Sequence, residues 1–158
     1  LTYLPLLIHS KFGSSSLVIG VVMSSVSLTT AITTTKTRWL LTEWKERQLM
    51  VIGFILIAAA MFLFPLMPKV ALLAAPALIY GLGNGINSPS AQSILIGLAP
   101  ENARAGFLSV NSTILRIGQS LGPFVMGMVA EAWGMNGMFY TAAICSLCML
   151  AITVSLLK

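Results

Sequence analysis

Residues 104–134 read Arg-Ala-Gly-Phe-Leu-Ser-Val-Asn-Ser-Thr-Ile-Leu-Arg-Ile-Gly-Gln-Ser-Leu-Gly-Pro-Phe-Val-Met-Gly-Met-Val-Ala-Glu-Ala-Trp-Gly. The stretch exceeds the about 20 residues that a bilayer-crossing helix needs. It is mostly apolar, yet it carries Arg116 near its middle, among Ser109, Asn111, Ser112, Thr113, Gln119 and Ser120. A charge at that depth is costly, so it is buried in protein or faces water. Gly118 and Gly122, four residues apart, allow another helix to approach closely, and Pro123 predicts a bend. One span thus offers a polar face, a packing face and a bend.

The rest of the chain agrees with a membrane reading. Of its 158 residues 57% are hydrophobic and 8% charged, with a mean hydropathy of +0.93. Soluble domains carry about 25% charged residues, so this chain cannot cover a water-facing surface. The net charge of +5 does not point to nucleic acid. The basic residues sit in short clusters between apolar spans, where charge sets orientation, and no basic-aromatic face appears. The chain opens on Leu1 inside an apolar run, which reads as the continuation of a longer chain.

In order, the apolar runs predict spans at 1–9 (partial), 17–35, 49–66, 70–99, 105–133 and 138–157. Turns fall at 12–16, 67–69, 100–104 and 134–137, and a charged loop at 36–47. The runs are continuous and helix-length, not alternating ten-residue strands, so the expected fold is an all-α integral membrane bundle.

Polarity divides the spans. Those at 17–35, 70–99 and 105–133 are rich in hydroxyls and amides or broken by Gly and Pro; 49–66 has no polar residue, and the last span few. On 105–133, Ser109, Thr113, Arg116, Ser120 and Pro123 recur at steps of three and four and share one face. The predicted aqueous path takes Ser24 and Ser27, then Asn84, Asn87 and Gln92, then Asn111, Arg116 and Gln119. Gly81, Gly85, Pro89, Gly118, Gly122 and Pro123 are expected to pack and bend helices. A second reading stays open, in which the Ser and Asn side chains only bond packed helices to one another, for about 0.6 kcal/mol each.

Enzyme chemistry finds no foothold. The sequence has no Asp, and its one His, His9, lies far from Glu131. No nucleophile elbow or His-Glu-x-x-His appears. Gly81-Leu-Gly83-Asn84-Gly85 lacks the Lys-Ser/Thr of a phosphate loop. Cys145 and Cys148 have no zinc partners in sequence. No metal or cofactor is expected, and no nucleic acid. The expected partners are the lipid bilayer and a small-molecule substrate.

Four features in order resemble the C-terminal half of a major facilitator superfamily transporter. Tyr3-Leu4-Pro5, Phe12-Gly13 and Ile19-Gly20 look like the end of the seventh helix and the start of the eighth. The basic stretch Lys36 to Arg47 stands where the family has a second, degraded loop motif. Gly81, Gly83 and Gly85 with Pro89 look like the tenth helix. Pro100-Glu101-x-x-Arg104, followed by Gly118, Gly122 and Pro123, looks like the eleventh. The stretch at 36–47 lacks the Gly and Asp of the first-half motif, and Pro123 is followed by a single offset Gly127, not the paired glycines of the antiporter signature. The resemblance implies secondary active transport by alternating access in the cytoplasmic membrane, with drug or metabolite efflux coupled to protons as one form. It implies an N-terminal half of the same transporter as partner. It places the eighth, tenth and eleventh helices on the path and the ninth and twelfth toward lipid. The alternative is a membrane scaffold or accessory subunit without transport.

Orientation follows from Lys36, Arg38, Lys45, Arg47, Arg104 and Lys158 on one side against Lys11 and Lys69 on the other. The positive-inside rule makes the first side cytoplasmic. Single cysteines at Lys45 and Lys69 test this in intact cells with an impermeant thiol reagent. Position 69 is expected to label and position 45 to stay silent; the reverse pattern inverts the topology.

Overall fold

A computed structural model describes residues 2–12 and 16–156. Every element among them is helical: α1 (Leu4–Phe12), α2 (Ser16–Glu43), α3 (Glu46–Leu66), α4 (Ala74–Leu98) and α5 (Arg104–Leu156). Short 3-10 turns, Val70–Leu73 and Glu101–Ala103, lead into α4 and α5. The turn expected around Gly13 to Ser15 and the terminal Lys158 lie outside the described residues.

Two boundaries differ from the sequence reading. The charged stretch at 36–47 is not a loop. α2 runs on to Glu43, because nothing from Lys36 to Glu43 breaks a helix, and only Trp44 and Lys45 separate it from α3. Lys36 and Arg38 thus ride on the end of α2, while Arg47 sits in the first turn of α3. In the second case, α5 is continuous over 53 residues except at Gly134, with φ 74° and ψ 173°. At 1.5 Å per residue α5 would be about 80 Å long if straight, far beyond a hydrocarbon layer of about 30 Å. Gly134 reverses it instead. Met126, before the reversal, and Phe139 and Ala142, after it, line one small cavity. The positive φ is why glycine stands at the reversal.

The centre of the bundle is α4, held from two sides. Gly81, Gly83 and Gly85 alternate, and a step of two residues turns a helix about 200°. Gly81 and Gly85 therefore face α2, and Gly83 faces α3. A methyl group at Gly81 would stand 2.8 Å from Thr29 Cβ and 2.9 Å from the Val26 carbonyl. One at Gly85 would meet Thr33 Cβ at 2.7 Å, and one at Gly83 the Gly53 carbonyl at 2.8 Å. Because the backbones touch, side-chain hydroxyls reach across. Thr30 Oγ1 donates to the Gly81 carbonyl at 3.3 Å, and Thr34 and Thr37 both donate to that of Gly85, at 3.4 and 3.3 Å.

α3 lies between α4 and the part of α5 after Gly134. Ser146 Oγ donates to the Phe54 carbonyl at 3.1 Å, and Phe64 stacks on Phe139 with centroids 5.6 Å apart. α1 caps this end of the bundle, where Leu4, Leu7 and Ile8 join Met61, Phe64, Leu73 and Met138 in the core. The span expected to face lipid is open along one stripe only: Ile52, Ile55, Ala59, Phe62 and Leu66 are exposed, while Leu49, Gly53, Ala58, Ala60 and Phe64 are buried. The absence of polar residues on α3 goes with packing of its other side against α4 and α5.

Since lipid tails are as apolar as side chains, close packing holds such helices together. Gly81→Ala and Gly85→Ala are each expected to cost about 1–3 kcal/mol, seen as a fall in the thermal midpoint of the full-length protein in detergent. Gly97→Ala, on the same helix with nothing within 4 Å of the new methyl, is expected to cost nothing. Equal effects at all three positions would remove the packing role.

Candidate functional site

The part of α5 before Gly134 stands away from the bundle. Between its start and the end of α4 opens a groove of about 610 Å³, lined by Leu95 on α4 and by Phe107, Val110, Asn111 and Ile114 on α5. Nearer Gly134, a second groove of about 540 Å³ separates α5 from the chain start, with Thr2, Tyr3, Gln119, Gly122 and Pro123 on its walls.

These grooves fix how the helix is turned. Residues 107, 110, 111 and 114 face α4, and 119, 122 and 126 face Tyr3. Ser109, Thr113, Arg116 and Ser120 recur at three and four residues on the remaining side, turned away from the bundle. All four are exposed. Thr113 Oγ1 donates to the Ser109 carbonyl at 3.0 Å. Arg116 has no hydrogen-bond or ion-pair partner among the described residues, where the one ion pair joins Arg104 to Glu101 at 3.7 Å. Glu131 on the same helix is about 22 Å away by helix rise. Arg116 is about 18 Å from the start of α5 on the same measure.

The other predicted path residues scatter. Asn111 is half-buried in the α4-facing groove, and Gln119 is exposed in the second. Gln92 is exposed and Asn84 half-buried; Asn84 shares a side of α4 with Ser88, Ala91 and Leu95, at helical steps, and that side faces the first groove. Asn87 does not join them. It packs against Gly53 of α3, where a methyl on Gly53 would stand 3.1 Å from Asn87 Cβ, and its Oδ1 is buried without a hydrogen-bond partner. Ser24 and Ser27 lie on an open face of α2, in a shallow groove of about 800 Å³ with Leu17, Val21 and Leu28, and Ser27 Oγ donates back to the Met23 carbonyl at 3.2 Å. Of the threonines of α2, Thr30, Thr34 and Thr37 bond across to α4, while Thr35 and Thr42 are exposed and bond only to their own helix.

Gly118 and Gly122 have nothing within 4 Å of a built methyl, whereas Gly81 and Gly85 are in tight contact. Among the described residues nothing packs closely on the surface of α5 at Gly118 and Gly122. Pro89 and Pro123 both lie inside helices. Pro123 has no N–H for the Gln119 carbonyl.

Sequence reasoning missed Tyr3 as a member of the site. Its hydroxyl donates to the Pro123 carbonyl at 2.7 Å. Gly127 makes room for it, since a methyl there would meet the hydroxyl oxygen at 2.6 Å and the ring Cζ at 3.7 Å. The signal was present as the offset Gly127 one turn after Pro123, but no local pattern pairs that position with a residue at the opposite end of the chain.

The sequence model described as Major Facilitator Superfamily matches residues 1–158. A probable anion transporter of Arabidopsis thaliana is 26% identical over 107 residues, covering 67% of this chain and 25% of that protein. The chain thus spans about a quarter of the length of that relative. No solved structure matches the chain.

The Tyr3 contact yields a rescue test. Tyr3→Phe is expected to cost about 0.5–1.5 kcal/mol. Gly127→Ala is expected to cost more, because the hydroxyl is driven off. Combining the two removes the crowded atom, so the double variant is expected to be more stable than Gly127→Ala alone. Additive losses in thermal midpoint would mean that Tyr3 and Gly127 do not meet.

Proposed function

The chain belongs to the Major Facilitator Superfamily, and on that premise we propose that it forms the C-terminal six-helix half of a secondary transporter that carries a small anion by alternating access. In such proteins the substrate binds near the bilayer midplane between two repeats, which rock about it. One wall of that site is Ser109, Thr113, Arg116 and Ser120 of α5. The other repeat, supplied by the rest of the same protein, stands opposite and covers the exposed faces of α5, Gly118 and Gly122 among them.

The observation that carries the anion is Arg116. It is exposed at membrane depth, it has no partner among the described residues, and hydroxyls flank it on its own face. Even on the lenient insertion scale an unpaired Arg at the midplane costs at least about 2.5 kcal/mol. A substrate anion removes that cost for as long as it is bound. The guanidinium is planar and always charged, and it offers paired donors to carboxylate or phosphate oxygens. Similarity to a relative described as a probable anion transporter supports the same substrate class and favours it over the drug or metabolite efflux that the Gly-Pro motif evokes. The scaffold reading leaves an unpartnered Arg on an exposed polar face without a purpose.

The full-length protein in proteoliposomes tests this by currents or uptake over a panel of inorganic and carboxylate anions. Arg116→Gln is expected to insert and fold like the parent while transport falls at least tenfold. Arg116→Lys keeps the charge but loses the planar fork, and is expected to retain partial rate with a raised KM. Parental transport by Arg116→Gln at equal insertion would make Arg116 structural and remove the anion reading.

A further inference from the structure

A cleft at the other face of the bundle belongs to none of this. It lies where the first turn of α3 meets the last turn of α5, and has a volume of about 490 Å³. Its outer end is polar: Trp44, Lys45, Arg47 and Gln48. Its inner end is aliphatic: Val51 and Ile52 of α3 and Val154 of α5. We propose that this cleft holds one anionic phospholipid, with the phosphodiester against Lys45 and Arg47 and the start of an acyl chain against Val51, Ile52 and Val154.

Three observations carry it. The first is charge. Among the described residues no carboxylate lines the cleft, and Glu46, between the two cations in sequence, is turned to α4, where it accepts a hydrogen bond from Ser93 Oγ at 3.2 Å. Lys45 is exposed and has no ion-pair partner among the described residues. The second is geometry. Arg47 is fixed by a 2.9 Å hydrogen bond from its guanidinium to the Val154 carbonyl, which uses one of its five N–H donors and leaves the others to an anion. The third is depth. The charged residues end at Arg47, and from Leu49 on α3 is apolar, so the cleft straddles the headgroup boundary. Trp44, 47% exposed, and Trp39, 66% exposed, stand there, as interfacial indoles do. A polar, cationic mouth above an aliphatic floor at that boundary matches one phospholipid molecule and no soluble ligand of uniform polarity. The proposal is independent of the transported substrate and of the role of Arg116.

The test is native mass spectrometry on the delipidated full-length protein, titrated with short-chain phosphatidylglycerol or phosphatidylcholine. Phosphatidylglycerol is expected to bind at least tenfold more tightly. Lys45→Gln, in the exposed turn, is expected to weaken it about fivefold, the effect of one basic residue near an anionic surface. Lys69→Gln, at the opposite end of α3, is expected to leave it unchanged. Ile52→Trp, which fills the aliphatic end, is expected to weaken binding at constant charge. Equal affinity for the two lipids, or equal effects of Lys45→Gln and Lys69→Gln, would overturn the proposal. So would competition by glycerol 3-phosphate as strong as that by the lipid, since the cleft would then be a site for a soluble phosphate ester.

Discussion

The contact on which the bundle depends is the two-sided approach of α4, through Gly81 and Gly85 to α2 and through Gly83 to α3. A helix in lipid gains little by hiding apolar surface, so it must win by contact and by hydrogen bonds. Glycine on both sides of one helix supplies both. It brings backbones together, and it exposes carbonyls that Thr30, Thr34 and Thr37 can reach. The three glycines occupy little more than one turn, so α2 and α3 cross α4 at nearly the same depth. A shift of α4 by one residue along its axis would present Leu82 and Asn84 to contacts that accept no side chain. Register and spacing of three helices are thereby set at one point.

From that point the order α2, α4, α3 and the second part of α5 follows, each helix packed on the next. One end of the bundle is pinned separately, by Ser93 to Glu46 and by Arg47 to the Val154 carbonyl. At the opposite end the core of Leu4, Phe64, Leu73 and Phe139 does the same. The first part of α5 shares few of these contacts. It is attached through Gly134, through Met126, Val129 and Ala130 against the core, and through the Tyr3 hydroxyl on Pro123, and its residues from Ser112 to Leu121 are exposed.

How much of this the sequence announces depends on range. Apolar runs of span length, Gly134 as a reversal, and glycines four apart as packing surfaces are local, and periodicity or spacing exposes them. The continuation of α2 through Lys36 and Arg38 was also local, but charge read as a loop signal outweighed the absence of any breaker there. What could not be read is which polar residue meets which helix. Asn84 and Asn87 are three apart and look equivalent on a wheel, yet one lies on the groove side and the other against Gly53. The threonines and serines of α2 look equally polar, and only the position of Gly81 and Gly85 divides them into packing and open sets. The partnership of Tyr3 with Gly127 spans nearly the whole chain, and no pattern within either segment contains it.

That division bears on the proposed site. A polar group in a membrane helix is kept where something satisfies it. In this chain the hydroxyls of Thr30, Thr34, Thr37 and Ser146 have carbonyls on neighbouring helices, and those of Thr113, Thr141 and Thr153 have one on their own. Against that background Asn87, whose Oδ1 is buried without a hydrogen-bond partner, and Arg116 stand apart, and of the two only Arg116 is charged. It is the strongest polar group at membrane depth and it has no partner within reach. Packing cannot explain it, because its face touches no other helix among the described residues, and snorkelling is a poor escape from about 18 Å below the helix start. On the proposed reading its satisfaction comes from outside the chain. A fixed carboxylate on the facing repeat would neutralise it permanently, whereas a mobile anion neutralises it only while bound. Only the second arrangement links the energy of that charge to occupancy, and a transporter needs such a link if binding is to bias one conformation over the other.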